Sequence, residues 1–461
     1  MASTVATLPA QQNTGAPVVP EPAIAPPPPL PLVTAKDLLD GLKNPSRWLT
    51  YSGDYTGQRH SPLTQITPTN VSRLLSQWTF QAEGMPVGRG FEGTPLMMDG
   101  VLYITGNNNY AWAIDARTGR QIWRYRRLLP PALTYGGVNP SNRGFAALGD
   151  KLFMGTLDAH LLAFNRDTGK ILWDTVVDDY KVGHAIIAAP LVIKDKVVVG
   201  NSGGDIPTRG FVDAYNAETG KLAWRFYTIP GEGEPGSETW SRKEELPRGG
   251  GATWVTGSYD PESNLIYWGV GNPTPSYFGD DREGDNLYTA SIVAIDADTG
   301  KLRWHYQFTP HDLHDWDSNH VPVLGEVTIG GRQRKVVMMA NRNGFFYTLD
   351  RLTGELLVGK PYTGRQVGAR DRQGRQADRA QPGRSAAGRF RGDHAVRARP
   401  ARRHGVQPAV VRSVTAAVLR DGPRDVRLLH AVPSGAPDRK GRHRRRHEKT
   451  GGSGLRRAAG T

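Results

Sequence analysis

The chain has 461 residues, enough for one large β domain or two to three average ones, and its eleven Trp and 55 Gly favour a turn-rich β protein. It has no Cys, which excludes structural disulfides, thiolate metal sites and covalent c-type haem. The net charge of +14 would suggest nucleic acid or acidic membranes as partners, but residues 365–461 carry a net +18 and the first 364 a net −4, so the basic character belongs to the tail alone.

The N-terminus, MASTVATLPAQQNTGAPVVPEP, lacks the basic start and continuous apolar core of a signal peptide. No apolar run reaches the ~18 residues that a bilayer-spanning helix needs. Residues 1–33 are Ala/Pro-rich and end in PPPPLPL; they predict an extended, disordered arm or the remnant of a leader. The segment TAKDLLDGL then predicts a short helix with Thr34 as N-cap and Leu38, Leu39 and Leu42 as its apolar positions.

Residues 34–362 repeat themselves. IDARTGRQIW ends at Trp123, FNRDTGKILW at Trp173, YNAETGKLAW at Trp224 and IDADTGKLRW at Trp304; LDRLTGELLV is a fifth copy without the Trp. The intervals are 50, 51 and 80 residues, and the long one predicts a divergent unit plus an insertion. Trp78 predicts the close of an earlier unit. Each copy pairs an apolar strand with a second strand across a Thr-Gly turn, where glycine supplies the positive φ of a tight hairpin. A period near 50 with one hairpin turn and one Trp per repeat predicts an all-β propeller, its tryptophans wedged between blades.

The long interval holds GGGATWVTGSYDPESNLIYWGVGNPTP, residues 249–275. Trp254 and Asn272 each leave a strand beside glycines that let the backbone come close, an arrangement that suits a flat polar ligand and a metal. The same stretch also reads as a glycine-rich hairpin whose Trp fills a core.

Together with WLTYSGDYTGQRHSPL (48–63), FEGTPLMMDGVLYITG (91–106), FTPHDLHDWD (308–317) and ANRNGFFYTLD (340–350), these motifs resemble the quinoprotein alcohol dehydrogenases. The resemblance covers about residues 45–362 and implies an eight-bladed β-propeller, here with about six blades. It also implies oxidation of a primary alcohol or related hydroxyl substrate with pyrroloquinoline quinone (PQQ) and calcium. Trp254 matches the tryptophan that stacks on the quinone, and Arg342 the cation that bonds its oxygens. Arg143, Glu92, Ser202, Gly203, Gly204 and Thr156 match further cofactor contacts. Asn272, Asp205 and Asp317 match the calcium ligands, with Asp205 standing where the family usually has Glu. Asp317 also matches the base that takes the alcohol proton while hydride passes to the quinone. Asn319 stands where lanthanide-dependent members carry a second carboxylate, which implies the calcium type. The cluster His311, Asp312, His314 and Asp315 offers a His-rich metal site as an alternative, without a recognisable ligand spacing.

Two departures from the family bear on function. The vicinal disulfide that many members place before the Asn-Arg-Gly motif is missing from YGGVNPSNRG. The haem motif is missing as well, which implies a separate cytochrome c or other electron acceptor. The family works in the periplasm, and that location is carried over as an expectation. After Gly364 there is no Trp, Tyr, Ile or Asn and 23 Arg stand against 2 Lys, so residues 363–461 predict a disordered or out-of-frame tail without strand alternation. A propeller short of its last blades would leave unpaired edges and a poorly closed ring. Nucleic acid is not expected as a partner, because the tail lacks aromatics to stack on bases. A non-catalytic propeller that binds other proteins remains open, since fold alone does not fix function.

Overall fold

The computed structural model describes residues 30–83, 90–131, 133, 139–363 and the backbone of 413–418. The arm before residue 30, the segment Tyr135–Val138 of the absent-disulfide motif and the rest of the tail lie outside the described residues.

The hairpins begin with the Asp or Asn of each repeat. Asp115, Asn165, Asn216, Asp296 and Asp350 each accept, on one side-chain oxygen, the backbone N–H and the hydroxyl of the Thr three residues on. The following glycine then takes φ between 67 and 74°. This closed turn joins the third and fourth strands of a sheet, and each such pair carries a bulge beside it.

Five four-stranded antiparallel sheets result. The first holds β2 (Leu96–Met98), β3 (Val101–Thr105), β4 (Tyr110–Asp115) and β5 (Gln121–Arg126). The second holds β6 (Ala146–Leu148), β7 (Lys151–Gly155), β8 (His160–Asn165) and β9 (Ile171–Val176). In the third are β10 (Leu191–Ile193), β11 (Lys196–Gly200), β12 (Phe211–Asn216) and β13 (Leu222–Tyr227). The fourth comprises β14 (Ser258–Asp260), β15 (Leu265–Val270), β16 (Ser291–Asp296) and β17 (Leu302–Gln307). The fifth comprises β18 (Val323–Ile329), β19 (Arg332–Ala340), β20 (Phe345–Asp350) and β21 (Leu356–Pro361). Before them stands β1 (Leu75–Gln81). Strands such as β3 and β15 are buried on both faces, as blades packed face to face require, whereas β9 alternates toward solvent.

The repeated tryptophans lock each blade to the next. The indole N–H groups of Trp78, Trp123, Trp173, Trp224 and Trp304 donate to the carbonyls of Ala116, Arg166, Ala217, Ala297 and Arg351, at 2.8 to 3.3 Å. The turn glycine of the following blade lies flat on each ring: a Cβ on Gly169 would stand 2.7 Å from Trp123. Glycine is therefore needed twice there, for its φ and for its missing side chain.

Thr34 caps a helix at Ala35–Asp40 through a reciprocal bond with Asp37, and Leu38 is buried. Leu39, expected on the apolar side, is exposed, because the helix ends after six residues and turns only one Leu fully inward. The interval between Trp224 and Trp304 holds one unit, β14 to β17, with an insertion. The length is taken up by a long connection before β14, with short 3-10 turns at Ser237–Thr239 and Lys243–Arg248, and by a loop after β15. Tyr259 and Asp260 close β14, and the turn to β15 begins at Pro261. In the tail, expected to carry no strands, β22 (Ser413–Val418) pairs antiparallel with β1. Its sequence SVTAAV is the part of the tail rich in β-branched residues.

Candidate active site

All the expected site residues fall at one end of the sheets, where second strands finish and first strands begin. Thr156, Ser202, Asn272 and Arg342 follow β7, β11, β15 and β19; Glu92, Arg143, Trp254 and Asp317 precede β2, β6, β14 and β18. Bonds between successive sheets tie these ends together. Thr94 N–H donates to Arg143 O (2.9 Å), Arg143 N–H to Ile187 O (3.0 Å) and Thr253 N–H to Asn201 O (2.9 Å), and the Asn319 amide donates to Ala252 O (3.0 Å).

Asp317 is 7 % exposed and its backbone has φ +49°. Its Oδ1 accepts the Asn272 N–H at 3.2 Å, and its Oδ2 lies 3.2 Å from Arg342 Nη1. Gly271 makes the approach possible, since a Cβ there would stand 2.6 Å from Asp317 Oδ1. Burial first, and then the charge of Asp315, push the Asp317 carboxyl up to about 7 against the pull of Arg342. Asp315 is raised to about 6, by burial and then by Asp205.

The loop carrying them is strained, with His311 and Asp315 also at positive φ. It is held from below. The buried Asp312 carboxylate accepts the N–H groups of His314 and Trp316, both at 2.8 Å. The buried Arg282, pulled down to about 10 by burial, donates to Asp312 O, Pro275 O and Asn286 Oδ1.

Asn272 is 2 % exposed. Its amide NH2 donates to Pro273 O (3.1 Å) and Ser276 Oγ (2.8 Å). The amide oxygen accepts nothing among the described residues and lies where a Cβ on Gly204 would be 3.4 Å away. Asp205 is exposed and accepts Ser276 Oγ at 3.4 Å. Two carboxylates and an amide oxygen thus share one corner. Among the described residues no group of three His, Cys, Asp or Glu is arranged to hold a metal, so the corner depends on its amide.

Trp254 is half-buried against Leu157, Ala185 and Ile187, with the Arg143 guanidinium 4.8 Å from its ring centre. Arg143 Nη2 pairs with Glu92 at 2.7 Å. Arg143 Nη1, Ser202 Oγ and Asn319 Oδ1 are buried without a hydrogen-bond partner among the described residues. Donors and an aromatic face left in this state fit a planar polyanion, and the oxygen corner fits a hard cation.

Two expected contacts turn elsewhere. The Thr156 hydroxyl is spent on its own turn, bonded to His160 N and O, and Gly203 packs on Gly183. The His-rich alternative finds other partners too: His311 Nδ1 lies 2.9 Å from Gly284 O, and His314 stacks on Trp316. Sequence reasoning missed Ser276, which directly follows the 249–275 stretch, and weighed Asp315 only as part of that histidine cluster.

Four-stranded sheets locked one to the next, with their loops gathered at one end, define a β-propeller. The sequence model of the PQQ family, described as the glucose/ethanol/alcohol dehydrogenase β-propeller domain, matches residues 48–403, and the chain belongs to that family. It is 43 % identical over 337 residues to the quinohemoprotein alcohol dehydrogenase ADH-IIG of Pseudomonas putida, covering 69 % of this chain and 46 % of that protein. It is 38 % identical over 372 residues to the quinoprotein alcohol dehydrogenase PedH of Pseudomonas putida, covering 76 % and 62 %. Among solved structures, ADHIIG superposes with a TM-score of 0.68 at 40 % identity, over 73 % of this chain and 51 % of that one. A europium-containing methanol dehydrogenase gives 0.67 at 35 % identity, over 71 % and 60 %. The chain spans about half the length of the quinohemoprotein relatives that it matches.

Proposed function

We propose that this chain is the propeller of a PQQ-dependent alcohol dehydrogenase, oxidising a primary alcohol or related hydroxyl substrate to the aldehyde. The observation that carries the reading is Asp317, a buried carboxylate held between Arg342 and the Asn272 backbone beside an all-oxygen corner. Asp205, Asn272 and Asp317 would hold calcium; Trp254 would give the quinone an aromatic face, and Arg143 and Arg342 would bind its oxygens. When bound, the quinone supplies a two-electron acceptor and the calcium a Lewis acid.

Asp317 is the base that takes the alcohol's hydroxyl proton. It must be ionised to do so, and Arg342 favours that form while burial opposes it. A cation among the three oxygen ligands favours ionisation further. Arg342 also keeps the carboxylate pointed by holding Oδ2, which leaves Oδ1 toward Asn272. The electron acceptor would be a cytochrome c or another redox partner, and the periplasm is the compartment of the reaction in this reading.

The test is reconstitution of the purified chain with PQQ and Ca2+, followed by dye reduction with a panel of primary alcohols. The expected result is turnover that falls by about 10²- to 10⁴-fold in Asp317→Asn while quinone binding is kept. Turnover unchanged in Asp317→Asn removes the base assignment. Quinone binding without turnover in the wild type favours a binding propeller instead.

A further inference from the structure

Asn272 and Asp205 come from different sheets, after β15 and β11, and one side chain joins them. The Ser276 hydroxyl accepts from the Asn272 amide at 2.8 Å and lies 3.4 Å from Asp205 Oδ1, to which it donates. A hydroxyl can do both at once because it has one donor and two acceptor sites.

Both bonds have consequences for the cation corner. An amide can be turned over, and only one orientation offers its oxygen to a cation. With its NH2 held by Ser276 and by Pro273 O, the Asn272 oxygen is fixed on the other side, next to Gly204. Asp205 is exposed, and among the described residues Ser276 is its one hydrogen-bond or ion-pair partner, so without Ser276 nothing aims its carboxylate. Ser276 itself is half-buried on the loop that follows Asn272, close enough to reach both.

We propose that Ser276 is a positioning residue of the cation site, orienting the Asn272 amide and recruiting Asp205 as a ligand from the neighbouring sheet. This rests on the reading of Asp205, Asn272 and Asp317 as a calcium site. Partners that orient ligands in this way are typically worth 10- to 100-fold in metal affinity. The bridge also suits a shorter acid at position 205, since an exposed Asp gains reach and direction from the serine that it accepts from.

The experiment is titration of the full chain, free of quinone, with Ca2+ by calorimetry and with Tb3+ by luminescence excited through the protein's aromatic residues. Wild type, Ser276→Ala and Ser276→Thr are compared, with circular dichroism confirming that each is folded. The expected outcome is saturable binding by wild type, a 10- to 100-fold weaker affinity in Ser276→Ala and recovery in Ser276→Thr. Equal affinity of wild type and Ser276→Ala overturns the role of Ser276 and leaves the calcium site standing. No saturable binding by wild type, with the fold intact, overturns the calcium site and the positioning role together. A loss in Ser276→Ala that Ser276→Thr does not restore assigns the effect to loop packing and also overturns it.

Discussion

Arg143 does three things with one side chain: it pairs with Glu92, lies over the face of Trp254, and keeps one buried N–H donor without a partner among the described residues. A donor left over in this way is available to a ligand. Elsewhere, as in Arg225 with Asp213, Asp178 and Val177 O, an arginine's donors are taken up by partners within the fold. His184 is packed in the same way. It is 7 % exposed, lies 3.3 Å from Asn201 Nδ2 and faces Asp178 and Arg225, and burial holds its imidazole below the ordinary 6.5. In the folded chain it stays neutral, whereas the unfolded chain takes up the proton as pH falls below 6.5. Its contribution to stability is therefore present above that pH and declines below it. Melting curves of wild type and His184→Asn between pH 7.5 and 5 check this: the stability advantage of wild type should shrink toward pH 5. A constant difference would mean that His184 does not titrate on unfolding.

At the scale of the strand and the turn, the repeat explains itself. The Thr-Gly turn, its Asp or Asn acceptor and the Trp that the next turn covers are local features, repeated five times, and for that reason the blades were legible in the sequence. Gly169→Ala tests the logic. The new methyl would meet the Trp123 ring at 2.7 Å on a residue with φ 69°, so it incurs both a left-handed backbone cost and an overpacking cost. The expected loss is about 2 to 4 kcal/mol, read by urea unfolding; an unchanged midpoint would show that the indole moves aside freely. What the repeat could not show was where the 80-residue interval carries its insertion, because residues added in a connection leave no trace in the repeated turn. Ser276 and Asp315 were illegible for a related reason. Their importance comes from loops that the fold brings side by side, and no spacing in one loop announces a partner in another.

For the whole molecule, the site exists only because separate sheets are held in register around it. On top of the indole locks, the segment around Trp48–Gln58 ties four of them: Trp48 bridges Met97, the Tyr55 hydroxyl donates to Val192 O, and Tyr259 N–H and Leu324 N–H donate to Tyr55 O and Thr56 O. These contacts join residues 49 to 268 positions apart, which makes assembly of the sheets a non-local event. Trp254 and Asn272 could be picked out in the sequence as residues suited to a flat ligand and a metal, but only the assembled ring sets them beside Arg143, Asp317 and Arg342. The charge asymmetry of the chain stays outside this picture, since the near-neutral first 364 residues contain every site residue.

The central claim is that these strand ends bind a planar quinone against Trp254. Its most direct measurement is titration of the purified chain with PQQ in the presence of Ca2+, following tryptophan fluorescence in wild type and in Trp254→Ala. The expected result is saturable quenching in wild type, with affinity weakened about 5- to 150-fold in Trp254→Ala, as loss of a stacked aromatic contact worth about 1 to 3 kcal/mol requires. Quenching that saturates identically in both proteins, or none in a folded wild type, would contradict it.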